Sequence, residues 1–157
     1  MKIAVAGVGY VGLVTAVTLA DIGHDVICLD VDKGKLKMLN EGVSPIYEYG
    51  LEELMLKNRE RLEFTDDVTK YSEAQVIIIG VGTPEKEDGS ADLSAVFSVA
   101  DSIADNCSDG TVVVVKSTVQ IGTCESVRRR IGERRLNLQF FVVSNPEVLS
   151  QGTAVRD

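Results

Sequence analysis

The sequence predicts an α/β domain built on a doubly wound, mainly parallel sheet. Three observations carry that expectation. Short apolar runs with strand character alternate with helical stretches along all 157 residues. Two of the runs, Val76-Ile77-Ile78-Ile79 and Val112-Val113-Val114-Val115, are continuously apolar, as strands covered on both faces are. The first run leads directly into a glycine-rich turn and an apolar helix, which is how a βαβ unit opens.

Element by element, the pattern reads as follows. Ile3 to Ala6 is a strand, and Val11 to Ile22 a helix apolar on most sides that Gly23 stops. Val26 to Leu29 is a second strand ending at Asp30, followed by a helix over Lys33 to Asn40. Residues 43 to 49, with Pro45, Tyr47 and Tyr49, form a loop before a helix over Leu51 to Asn58. Leu62 to Thr65 alternates and is short, so it reads as a strand near an edge. After the doubly buried strand at 76–79, Asp92 caps a helix running to about Asp105. The second doubly buried strand, 112–115, precedes a helix over Glu125 to Ile131 with Arg128, Arg129 and Arg130 at its C-terminal turn. Phe140 to Val143 is the last strand. The chain is one domain over residues 1–157, and its end reads as a cut through a longer chain whose second domain is missing.

Composition narrows the function. Apolar residues make up 45% and charged residues 25%, which excludes a disordered or fibrous chain. A net charge of −8 repels polyanions, so nucleic acid is not an expected partner. No apolar run approaches the ~20 residues that span a bilayer, and no secretory signal opens the chain, so the expected setting is cytoplasmic and away from membranes. Cys28, Cys107 and Cys124 have neither disulfide nor zinc spacing and read as reduced thiols; no metal site is expected. His24 is the sole histidine and lies in a polar turn expected to face solvent, so histidine-centred catalysis has no material.

Gly7-Val8-Gly9-Tyr10-Val11-Gly12 is a GxGxxG motif between a strand and a helix. Gly7 permits a tight turn, Gly9 lets a pyrophosphate approach the backbone, and Gly12 lets helix and strand pack closely. The free N–H groups and positive end of the helix favour the diphosphate. Asp30, 18 residues after Gly12, is placed to accept hydrogen bonds from both adenosine ribose hydroxyls and to repel a 2′-phosphate. The expectation is a Rossmann-type domain that binds NAD in preference to NADP. Lys33 and Lys35 pull the other way, since either side chain can reach a phosphate. Further along, Gly80-Val81-Gly82-Thr83-Pro84, Lys116-Ser117-Thr118-Val119 and Asn145-Pro146-Glu147 each follow a strand. Ligands of open α/β sheets bind beyond the carboxyl ends of the strands, so these clusters converge on one site.

Taken together, the segments resemble the NAD-binding domain of the UDP-glucose/GDP-mannose dehydrogenases, most of all the UDP-glucose 6-dehydrogenase branch. The similar stretches are 7–13, Glu41-Gly42-Val43-Ser44-Pro45-Ile46-Tyr47-Glu48 with Gly50-Leu51-Glu52, Gly82-Thr83-Pro84, Gly89-Ser90-Ala91-Asp92, Lys116-Ser117-Thr118-Val119 and Ser144-Asn145-Pro146-Glu147. They follow the family's order over essentially the whole chain. The resemblance implies oxidation of a nucleotide sugar's primary alcohol to a carboxylate, UDP-glucose to UDP-glucuronate, with two NAD per sugar. It also implies a thiol in the missing half that traps the aldehyde as a thiohemiacetal and passes through a thioester that water hydrolyses.

The same resemblance implies roles for particular residues. Thr118 matches a threonine that helps position a water, and Glu147 a glutamate of the hydrolytic step; these are the two candidate catalytic residues. Gly7, Val8, Gly9, Tyr10, Val11, Gly12, Asp30, Lys35, Gly82, Thr83, Ser117, Thr118 and Gln151 match cofactor-side positions. Glu147, Val148, Leu149 and Gln151 match the start of the sugar-nucleotide loop. Gln151 stands where many relatives carry a glutamate, and it cannot take a proton at neutral pH. Gln120 and Val148 replace a common proline and phenylalanine. The resemblance implies a homodimer for the complete protein; the fragment alone is expected to bind NAD without turnover. Open alternatives are a relative acting on GDP-mannose or UDP-N-acetylmannosamine, a non-catalytic NAD-sensing module, and a Rossmann-type methyltransferase.

Overall fold

A computed structural model describes residues 1–156. Six strands form one sheet: β1 (Lys2–Ala6), β2 (Asp25–Leu29), β3 (Leu62–Thr65), β4 (Val76–Ile79), β5 (Thr111–Val115) and β6 (Phe140–Ser144). Their order is β3-β2-β1-β4-β5-β6, and every neighbouring pair is parallel. Five α-helices connect them: α1 (Tyr10–Asp21), α2 (Lys33–Asn40), α3 (Leu51–Lys57), α4 (Ser94–Asn106) and α5 (Thr123–Arg134). Two 3₁₀ segments, Arg59–Arg61 and Val68–Glu73, were not expected from the sequence.

The pleat divides the core in two. Ile3, Val5, Val26, Cys28 and Ile78 face Leu13, Val14 and Val17 of α1 and Leu51 and Met55 of α3. Ala4, Ala6, Ile27, Leu29, Ile77, Ile79, Val113 and Val115 face Val96 and Ile103 of α4 and Val127 and Ile131 of α5. The chain leaves the sheet's outer edge after β3 and re-enters beside β1 as β4, with its next helices on the opposite face. That switch opens a crevice beyond the carboxyl ends of β1 and β4.

Four expectations need correction. The valine run of β5 is not buried on both faces: Val113 and Val115 are buried, but Val112 and Val114 are half-buried, and Phe141 on the same face of β6 is 64% exposed. No helix of the described residues covers that corner of the sheet. The arginines at 128–130 are not the end of α5, which runs on to Arg134. There Arg130 and Arg134 make bidentate pairs with Asp101 and Asp105 of α4 at 2.6–2.7 Å. His24 is half-buried, its Nδ1 3.4 Å from the N-terminal amine. Asp92 accepts from the Ser94 amide at 2.9 Å, but the residue flanking α4 is Leu93.

Candidate functional site

The turn between β1 and α1 shows why glycine is needed at three places for three reasons. Gly7 has φ +92°, a left-handed conformation that side chains rarely adopt. A Cβ on Gly12 would lie 1.9 Å from the Gly7 carbonyl oxygen, so the helix packs on its own turn. Gly9 has φ −72°, and a Cβ there would meet nothing within 4 Å. Backbone strain therefore does not explain Gly9; the open space above it does. That space lies where α1 begins with no side-chain cap and no acidic residue in its first turn. The first amides of a helix point outward along its axis, toward where an anion would sit.

Asp30, just past β2, reaches across to this turn. Its Oδ2 accepts from the Val8 amide at 2.8 Å and its Oδ1 from the Asp32 amide at 2.9 Å. A carboxylate has about four lone-pair positions, so each oxygen keeps one for a further donor. The carboxylate sits on a largely apolar cleft of about 230 Å³ that Leu29, Val31, Val81, Ala95 and Ser98 help to line. Nothing in the sequence marked Ala95 and Ser98, because they come from α4 across the strand switch. Asp66 also lines the cleft, with its carboxylate 3.5 Å from Lys33 Nζ. Lys35 is half-buried, and its amide caps α2 on Asp32 at 3.1 Å.

The three polar clusters do converge, and hydrogen bonds tie them together. Thr83 Oγ1 donates to the Thr118 carbonyl at 2.8 Å, joining the loops after β4 and β5. Ser117 is buried, and its hydroxyl donates to the Val81 carbonyl at 2.7 Å, so its side chain is turned inward. Lys116 Nζ donates to Asn145 Oδ1 at 3.2 Å, joining β5 to β6. Thr118 and Gly82 are exposed, and Glu147 and Leu149 half-buried. Val148 is 84% exposed, and Gln151 opens a turn that runs through Arg156.

One residue of the site was missed. Glu48, in the loop before α3, is 5% exposed and accepts from the Tyr10 hydroxyl and, at 2.8 Å, from the Gly152 amide. The Tyr10 hydrogen bond, helped by the amides of Gly152, Ala154 and Val155, holds its carboxyl below the usual carboxylate range against the opposing effect of burial. The available signal was an acid directly after the apolar stretch Pro45-Ile46-Tyr47 and before Tyr49.

A helix start without a side-chain cap, an open glycine and an acid just past the second strand are what a dinucleotide requires. Over residues 1–157 the chain matches the model of the UDP-glucose/GDP-mannose dehydrogenase family, NAD binding domain. It belongs to that family. It is 49% identical to a UDP-glucose 6-dehydrogenase of Rhizobium meliloti over 161 aligned positions, and 46% identical to the UDP-glucose 6-dehydrogenase YwqF of Bacillus subtilis. Each alignment covers all of this chain and 37% of the relative, so the chain spans little more than a third of their length. A ternary complex of GDP-mannose dehydrogenase from Pseudomonas aeruginosa superposes with a TM-score of 0.93 at 37% identity, covering 100% of this chain and 38% of that one. The chain is thus an NAD-binding domain of Rossmann type within a family of nucleotide-sugar dehydrogenases.

Among the described residues no group of three or more His, Cys, Asp or Glu side chains is placed to hold a metal ion. No helix among them is long and apolar enough to cross a membrane.

Proposed function

We propose that this chain is the cofactor-binding part of a cytoplasmic UDP-glucose 6-dehydrogenase. The observation that carries the proposal is the pairing of an uncapped α1 above an open Gly9 with the two unfilled lone pairs of Asp30. The amides at residues 9–11 would hold the pyrophosphate, and Asp30 the adenosine ribose. Apolar Val31 and Ala95 would flank the adenine, with Gly82, Thr83, Thr118 and Gln151 beyond the pyrophosphate. Lys35, at the start of α2, would face the adenosine side. When bound, NAD would supply the hydride acceptor for oxidation of the sugar carbon. The chain's own residues bind and orient: Thr118 would hold a water near the reacting carbon, and Glu147 would move its proton.

The complete protein would oxidise UDP-glucose to UDP-glucuronate with two NAD, as a homodimer whose second half completes the sugar site with the loop 147–151. The 157-residue chain alone would bind NAD without turnover. The likeness to a GDP-mannose dehydrogenase supports a second reading, in which the sugar nucleotide is GDP-mannose.

Calorimetry on the chain with NAD, NADP and S-adenosylmethionine is expected to show NAD as the tightest ligand. Preference for S-adenosylmethionine would end the proposal. Robust NAD reduction by the chain with UDP-glucose would refute the absence of turnover. Product analysis of the complete protein with each nucleotide sugar separates the two substrate readings.

A further inference from the structure

The Glu48 carboxylate joins three segments far apart in the sequence. Tyr10 is the first residue of α1, inside the glycine motif. Glu48 ends the stretch Pro45-Ile46-Tyr47-Glu48. Gly152 lies in the turn after β6, with φ +92°. The Tyr10 hydroxyl and the Gly152 amide both donate to Glu48 Oε2, and the same amide lies 3.3 Å from the Tyr10 oxygen. The turn thus wraps its amides around an anion supplied by the chain itself, the arrangement of a backbone nest.

Packing alone does not call for an acid here. The segments on either side of it and the turn it meets feed an apolar cluster, through Ile46, Leu51, Leu149, Ala154 and Val155. A side chain present only to fill space would be apolar too, since a buried polar atom left unmet costs stability. Instead the chain buries a carboxylate whose Oε1 has no donor in hydrogen-bonding geometry, with only the nearby Ala154 and Val155 amides favouring its charge. The donors that do meet it come from the two segments that frame the crevice.

We propose that Glu48 is a positioning residue that fastens the turn 151–156 to the first residue of α1, so that the segment carrying Glu147, Val148, Leu149 and Gln151 and the glycine turn order together. The inference deepens the NAD reading and rests on it in one respect: a dinucleotide seated at the start of α1 and an ordered turn at 151–156 stabilise each other. Coupling of this kind is reciprocal, so the ligand protects the turn and the anchored turn strengthens the ligand.

Two measurements test this. In the free chain, amide exchange of Gly152, Ala154 and Val155 is compared among wild type, Glu48→Gln and Tyr10→Phe, with Ile77 and Val113 as core references. Glu48→Gln keeps the shape and removes the charge; Tyr10→Phe leaves the acid and removes one donor. Protection of the turn is expected to fall about tenfold or more in Glu48→Gln and less in Tyr10→Phe, with the references within about twofold. A pH series adds a readout that a merely space-filling side chain would not move. The groups facing the carboxylate are the Tyr10 phenol from α1 and the three turn amides, with no charged side chain contributing. Its folded-state ionisation lies lower than in the unfolded chain, so the anchor is complete at neutral pH and is lost as the pH falls below the ordinary value of 4.5. Wild-type turn protection should fall there, and that of Glu48→Gln should stay flat.

NAD titration is the second arm. Both variants should bind NAD about three- to tenfold more weakly than wild type, and NAD should raise turn protection in wild type. No NAD binding by wild type would sink the cofactor reading and leave the exchange arm to decide the anchor. NAD binding of equal strength in all three chains would overturn the coupling. Turn protection unchanged in both variants, or lost together with that of the core, would overturn the anchor.

Discussion

Asp30→Asn isolates the role of one charge at the crevice with almost no change in volume. In the wild type the carboxylate already accepts from Val8 at 2.8 Å and from Asp32 at 2.9 Å. One lone pair per oxygen remains, enough for the two hydroxyls of a ribose. Asparagine has a single acceptor oxygen. Whichever way its amide turns, one backbone amide and one ribose hydroxyl face an NH₂ group. Loss of one hydrogen bond to a charged group costs about 1.5–3 kcal/mol, or roughly 10- to 100-fold in Kd. The lost backbone bond is partly replaced by water at this half-buried position, so its cost to the fold is about 0.5–1 kcal/mol.

The same substitution changes discrimination. A 2′-phosphate would place about two negative charges against the carboxylate of the wild type. Removing that charge is expected to weaken NAD and leave NADP unchanged or improved, so the preference narrows from both sides. Calorimetric titration of both dinucleotides into both chains, with a thermal melt of each to separate stability from binding, gives the answer. Wild type binding NADP as tightly as NAD, or Asp30→Asn binding NAD within twofold of wild type, would show that the acid does not grip a ribose.

The middle and last glycines of the motif should fail differently. Gly12→Ala drives a Cβ to 1.9 Å from a carbonyl oxygen and should destabilise at or above the roughly 1–3 kcal/mol of overpacking, whereas Gly9→Ala should cost the fold within about 1 kcal/mol and still abolish tight NAD binding. Equal melting losses in the two variants would contradict the turn geometry. Burial pushes the Cys28 and Cys107 thiols up, and Cys124 is half-buried, so a disulfide-exchange reagent should find one fast thiol in the native chain and three after denaturation. The Arg130 and Arg134 guanidiniums hold the Asp101 and Asp105 carboxyls below the ordinary 3.8. The unfolded chain binds more protons as the pH falls through that region, so these pairs stabilise the fold above about pH 4 and are lost below it. Melting curves of wild type and of Arg130→Ala with Arg134→Ala should therefore converge as the solution is acidified; a constant gap down to pH 2 would refute the assignment.

What the sequence made legible was what local chemistry dictates. Gly7 and Gly12 are forced by backbone shape and contact, and Gly9 stands in the same short motif, so turn and helix could be placed together. Asp30 was found because a strand end at fixed distance from the motif puts it there. Alternation set the short edge strand β3 with the right limits. The misreadings all depend on a neighbour the pattern does not reveal. A run of four valines looks the same whether one face or both are covered; only the missing cover over Val112, Val114 and Phe141 distinguishes β5 from β4. Arginines near a helix end looked like dipole partners, but Arg130, with Arg134 one turn later, answers aspartates spaced i, i+4 on α4. Glu48 escaped because its partners lie 38 and 104 residues away.

These contacts divide the crevice into two parts held by different means. The floor and one wall belong to the sheet: the loops after β4, β5 and β6 are tied by Thr83 to Thr118, Ser117 to Val81 and Lys116 to Asn145, all short reaches from paired strands. Groups positioned this way need no ligand to find their places, and they lose little freedom when one arrives. The segment 147–156 has no strand of its own. It is held by buried Ala154, by half-buried Leu149 and Val155, and by the amides gathered on Glu48. Ordering so short an attachment is opposed by chain entropy at every residue, about 1–2 kcal/mol each, which a handful of contacts only narrowly offsets. The loops after β4, β5 and β6 are therefore preformed, and under the proposed function the segment that carries Glu147 and Gln151 is the one whose order a bound ligand would change.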